Sequence, residues 1–232
     1  MPRPLTLLSV GAFLGLAAPA APPPAAAQVC GGFTAFANGA YQVSGAAQFN
    51  DQAKTFGGAF ALGGRAAFVQ IGIGTTSYDA LDGSTFSLMG SAGYQVALDK
   101  QGVFQMCPVA TIDHGSGPNN VDIFGDGSLV LDFSETALSF GLSFGVLPAM
   151  EGSTRVIPSA GFTVVSASAK LKDDVSGQSD SQSETFELLA LGLGIVFNQT
   201  VTVRPGVQIP MGLQGASTTF GAIVSVNFGR AR

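Results

Sequence analysis

The sequence predicts an all-β chain, an antiparallel up-and-down transmembrane β-barrel of ten strands, with eight as the alternative count. Three observations predict it. Segments throughout the chain alternate apolar with small or polar residues, the period-two signature of a strand with two unlike faces. The composition is apolar yet poor in charge, 46 % hydrophobic and 11 % charged, where a soluble domain carries about 25 % charged residues. After residue 27 no stretch supplies the ~18 continuous apolar residues of a membrane helix. In lipid every backbone polar group must be paired internally, and a closed sheet does that without helices.

The elements follow in chain order. Residues 1–27 read as a cleaved signal peptide. Arg3 gives a positive start, Leu5 to Ala18 an apolar run, and Ala25-Ala26-Ala27 a small-residue cleavage site. The run is short for a retained anchor of about 20 residues, and Pro22-Pro23-Pro24 ends it. Cys30 follows Gln28-Val29 rather than the small residue of a lipobox. Residues 28–38 then form an N-terminal periplasmic segment or plug, 39–229 the barrel, and 230–232 a C-terminal extension.

Ten alternating segments make the wall. They are Tyr41 to Phe49, Thr55 to Leu62, Ala66 to Thr75, Thr85 to Leu98 and Val103 to Ile112. A sixth ends at Leu138 to Val146, followed by Thr154 to Ala169, Thr185 to Phe197, Val201 to Ile209 and Thr218 to Phe228. The last sets Phe220, Ala222, Val224, Val226 and Phe228 against Thr219, Gly221, Ile223, Ser225 and Asn227. Connections alternate between short ones, such as Gly63-Gly64-Arg65 and Asn198-Gln199-Thr200, and long polar ones over Ser77 to Ser84, Asp113 to Ser128 and Leu171 to Glu184. Membrane barrels have short periplasmic turns and longer outer loops, and an even strand count puts both termini on the periplasmic side.

The polar face is mostly Gly, Ser, Ala, Thr and Gln. That suits a narrow lumen better than a soluble surface, which would carry roughly a quarter to a third charged residues. Arg155, Arg204, Gln105, Gln208 and Ser143 fall on it. Two aromatic girdles are expected at the interfaces: Tyr41, Tyr94, Phe104, Phe144, Phe197 and Phe228 at one end, and Phe49, Phe56, Tyr78, Phe86 and Phe220 at the other.

At these residues the chain resembles the small outer-membrane β-barrel proteins of diderm bacteria. The leader, the alternating strands and the closing segment Phe220-x-x-x-Val224-x-Val226-x-Phe228 carry the likeness. The resemblance implies residence in outer-membrane lipid beside lipopolysaccharide. It also implies delivery by the barrel assembly machinery, which reads a C-terminal aromatic, here Phe228. In that family the aromatic is usually the last residue; here Gly229-Arg230-Ala231-Arg232 follow it.

Few residues suggest chemistry. Cys30 and Cys107 are the only cysteines. In an oxidising compartment a pair usually bridges, which would pin the N-terminal segment at the barrel mouth; two separate thiols are the alternative. Asp113 with His114 invites comparison with the omptin proteases, which pair an Asp with a His two residues on. Adjacent residues point to opposite faces of a strand, so the pattern departs from that family and His114 reads as a solvated loop residue. Asp122 and Asp126 are a candidate calcium or magnesium site in an acidic outer rim, because hard cations want carboxylate oxygens; a merely solvated rim is the alternative, and the EF-hand spacing fails at Phe124 and Phe133.

No nucleotide loop, nucleophile elbow or basic nucleic-acid patch is present. The sequence therefore predicts no catalytic residues, no enzyme, no cofactor and no nucleic-acid partner, with a monomer favoured. The expected role is structural or surface interaction. The alternatives are a narrow, cation-leaning channel for small solutes and, behind it, a secreted soluble β protein.

Overall fold

The computed structural model describes residues 28–30, 33–35, 41–64, 66–79, 84–117, 121–122, 130–147, 153–173, 179–198, 200–213 and 216–228. The leader, Gly229 to Arg232 and Asp126 lie outside these residues. Ten strands form the wall: β1 (Tyr41–Phe49), β2 (Ala53–Gly63), β3 (Ala67–Tyr78), β4 (Ser84–Tyr94), β5 (Phe104–Ser116), β6 (Val130–Val146), β7 (Thr154–Asp173), β8 (Ser179–Phe197), β9 (Val201–Met211) and β10 (Thr219–Phe228). Each pairs antiparallel with the next. The ring closes where β10 returns to β1, with Phe228 opposite Tyr41 and Phe220 opposite Phe49. Closure removes the unpaired edges that an open sheet would present. The eight-strand count fails because β1 and β2 are separate strands. Asn50 makes the turn between them, its Oδ1 accepting from the backbone N–H of Gln52 at 2.9 Å and of Ala53 at 2.7 Å.

The two faces separate as the alternation requires. In β3, Ile71 is 64 % exposed on the outside while its neighbour Gln70 is 4 % exposed on the inside. The aromatics expected in the two girdles face outward, with one exception. Tyr78 faces inward and is half-buried at the rim, hydrogen-bonded to Thr85. It has inward parity at the end of β3, so it does not belong to a girdle.

The wall is uneven in height. The strands β6, β7 and β8 run for 17, 20 and 19 residues, where crossing a membrane takes about 9–11. Stretches read from sequence as the loops Asp113 to Ser128 and Leu171 to Glu184 are therefore partly strand. Above the apolar band both faces meet water, so Ser179 to Thr185 carry no apolar alternation to read, and in β7 it runs only to Leu171. The register still continues there, with Ser183 opposite Ser168 and their hydroxyls 3.1 Å apart. His114 likewise sits in β5 rather than a loop, its Nδ1 2.9 Å from the Thr136 hydroxyl.

At the end of the barrel with the tight connections, hereafter the turn end, Asn198 takes a left-handed φ of 47° between β8 and β9, a conformation Asn tolerates better than most residues. Inside this end lies the buried apolar cluster of Ala61, Phe68 and Cys107, with Val109 packed against it.

Candidate functional site

The interior gathers buried polar side chains such as Gln42, Gln70, Gln105 and Thr202. A cavity of about 450 Å³ runs along it, lined by Ser44, Gln48, Thr55, Gln70, Thr111, Asp113 and Arg204 among others. Its width comes from inward glycines such as Gly57, Gly72, Gly74, Gly141 and Gly161.

Towards the turn end the inward side chains fill this space. Gln42, Gln105 and Thr202 are each 1 % exposed and Cys107 0 %. Gln42 Nε2 donates to Asn227 Oδ1 at 2.9 Å across the β10–β1 seam. Gln105 Nε2 donates to the Gly102 carbonyl at 2.9 Å, while its Oε1 has no partner among the described residues. Phe68, 5 % exposed, lies over Gly93, its cross-strand partner. A Cβ on Gly93 would collide with the Phe68 ring, so the glycine is what lets the ring lie flat against the wall. A short hairpin of Gln28–Cys30 and Phe33–Ala35 accompanies this packing. Its first strand lies against β5 and β6 and its second against β8, making a chord of the ring.

Further along, Arg204 of β9 reaches into the lumen. Its Nη2 donates to Ser159 Oγ at 3.2 Å, and Ser159 Oγ donates to the Gly192 carbonyl at 3.3 Å. A Cβ on Gly192 would come within 2.7 Å of Arg204 Nε, so a glycine is needed for the guanidinium to lie there. Arg204 Nε has no partner among the described residues. A second cavity of about 50 Å³, bounded by Arg204, Gln48, Gln208 and Thr219, adjoins it. The β8–β9 ladder skips from Gly192 opposite Gly206 to Ile195 opposite Val203. Pro205 lies in the gap, and its missing N–H removes a ladder bond.

The other residues singled out from sequence fall as follows. Arg155 is partly buried, and its Nε has no partner among the described residues. Ser143 is buried against the main cavity, and Gln208 is exposed to it. Phe228 is outward and stacks on Tyr41 with ring centroids 6.4 Å apart. No cysteine is free among the described residues, and the side chain of Cys30 lies outside them. Asp122 is described only as backbone, opposite Val130. Among the described residues no group of three or more His, Cys, Asp or Glu could hold a metal ion. Asp113 points inward and His114 outward, so they form no catalytic pair. Sequence reasoning missed Phe68 and the Arg204–Ser159–Gly192 arrangement. An aromatic with inward parity was the signal for the first; the second needs the register of three strands.

No family model matches this sequence, and no curated protein matches it. Among solved structures, the beta domain of the Bordetella autotransporter Brka matches with a TM-score of 0.51 at 11 % identity, covering 82 % of this chain and 100 % of that one. The translocator domain of the autotransporter NalP from Neisseria meningitidis matches with a TM-score of 0.49 at 12 % identity, covering 81 % and 86 %. The Neisserial surface protein A matches with a TM-score of 0.38 at 16 % identity, covering 82 % and 97 %. The chain thus has the fold of bacterial outer-membrane β-barrels.

Proposed function

We propose that the protein is a non-conducting outer-membrane barrel with a structural or surface-interaction role, its termini in the periplasm and β6, β7 and β8 standing above the outer surface. The observation that carries this reading is the filled turn end of the lumen, where Phe68, Gln42, Gln105 and Cys107 are buried. A wall of about eight strands encloses an interior that side chains can fill, and ten strands enlarge it only modestly.

The proposal includes a Cys30–Cys107 disulfide that holds the N-terminal hairpin in the mouth. Its support is that no described cysteine is free, that Cys30 is the only other cysteine, and that the hairpin's first strand lies against β5. The outward apolar band is read as the lipid contact. Phe228 is read as the mark for the assembly machinery, and the loop end as the side that meets lipopolysaccharide.

The second reading, a narrow channel, is favoured by the cavity of about 450 Å³. Planar-bilayer recordings on the oxidised, detergent-folded protein separate the two. Absence of unitary current is the expected result. Steady ohmic steps from oxidised protein would overturn it. Current that appears only after reduction would identify the hairpin as the plug.

A further inference from the structure

We propose that Arg204 is the anchor of a lumenal binding site for a small oxyanion, a solute carrying a carboxylate or phosphate group that enters from the loop end. The inference does not depend on whether the turn end is closed. It starts from a charge without a counter-charge. Arg204 lines both cavities, and the only acid lining either one among the described residues is Asp113, on β5, four strands away around the ring. A cation held inside a protein wall without a counter-ion is unfavourable unless something pairs with it. Yet the fold holds this one, its Nη2 donating to Ser159 Oγ, which in turn donates to the Gly192 carbonyl.

The adjoining space suits an anionic head group. The cavity of about 50 Å³ is edged by Gln48, Gln208 and Thr219 as well as Arg204, which together offer amide and hydroxyl donors around one guanidinium. Liquid water takes about 30 Å³ per molecule, so this recess of about 50 Å³ takes one or two polar atoms of a solute. The oxygens of a carboxylate or phosphate enter there, and the rest of the solute extends into the larger cavity. Guanidinium is more weakly hydrated than ammonium and donates to such groups through a planar fork, which is why an arginine is more effective here than a lysine.

The test uses the full detergent-folded barrel at low ionic strength, titrated separately with inorganic phosphate and with succinate, and with choline as a cationic control. The sequence has six arginines, so the side-chain Nε–H signals in a nitrogen-labelled sample are few enough to assign. A saturable shift of the Arg204 signal with phosphate, succinate or both, and none with choline, is expected. Which anion saturates identifies the head group.

By calorimetry, Arg204→Gln should weaken binding at least tenfold, Arg204→Lys by less, and Arg155→Gln hardly at all. Gln208→Leu keeps the charge but removes an amide donor at the edge of the recess, so it should weaken binding severalfold while the barrel still runs folded on a gel. It serves as the decisive variant if Arg204→Gln does not fold. No saturation with either anion, or unchanged affinity in Gln208→Leu, would overturn the site. Neither result bears on the bilayer recordings, so the two readings fail separately.

Discussion

Phe140 and Ser139 are neighbours in β6 that face different media. Phe140 is 60 % exposed on the outside, and Ser139 lines the cavity. A lysine at mid-depth on the lipid face of a barrel costs about 2–4 kcal/mol. Phe140→Lys should pay that amount, and Ser139→Lys less, because its ammonium finds water and hydroxyls. Denaturant unfolding from lipid vesicles measures both; equal costs would reverse the assignment of faces. Phe68 sets a different test. Removing a buried aromatic ring typically costs about 3–5 kcal/mol, so Phe68→Ala should destabilise the barrel by an amount of that order. Gly93→Ala should be costly in the wild type, where its methyl meets the Phe68 ring, and nearly free once the ring is gone. A double-mutant cycle reads that coupling, and additive costs would mean that the ring does not lie over Gly93.

Among the elements, the β10–β1 seam is the one that converts a sheet into a barrel. It is clasped on both faces. Outside, Tyr41 of β1 stacks on Phe228 of β10 at 6.4 Å, and its other face is backed by Phe60 of β2 at 6.2 Å. Inside, the Gln42–Asn227 hydrogen bond crosses the same seam. Gln42→Leu alone strands the buried Asn227 amide, which should cost about 1–3 kcal/mol. Pairing it with Asn227→Leu should recover much of that loss, because both polar groups are then gone. If the double variant is no more stable than the single one, the hydrogen bond is not what the seam relies on.

The strands at this seam were legible in the sequence to within a residue, since each has one face in an apolar band and one in the lumen. The upper parts of β6 and β8 were not, because water on both sides erases the alternation, whereas β7 was legible to within four residues of its end. Tyr78 and Phe68 show a related limit: aromatics mark an interface only when parity puts them outside. Arg204 was legible as an inward charge. Its hold on Ser159 and Gly192 was not, since that depends on which residues of β7, β8 and β9 the register aligns.

At the scale of the whole molecule, closure and the N-terminal hairpin make separable predictions. Closed membrane barrels typically resist SDS until heated, so the unboiled protein should run at a different mobility from the boiled one. The mobility shift depends on the ring of ten strands and should survive reduction. The proposed Cys30–Cys107 bridge acts on the unfolded chain instead. It would close a loop of the order of 80 residues, which the chain-entropy account values at roughly 4 kcal/mol, less any strain. Reduction should therefore lower the temperature at which the folded band disappears, while leaving that band intact at room temperature.

A thiol assay on the non-reduced, denatured chain should find no free thiol. Two thiols would remove the bridge, and with it the expected effect of reduction. An unchanged melting temperature with no free thiols would instead mean that the unfolded chain is already compact enough for the cross-link to cost it little. Loss of the folded band on reduction alone would place the hairpin, rather than the seam, at the centre of the barrel's stability.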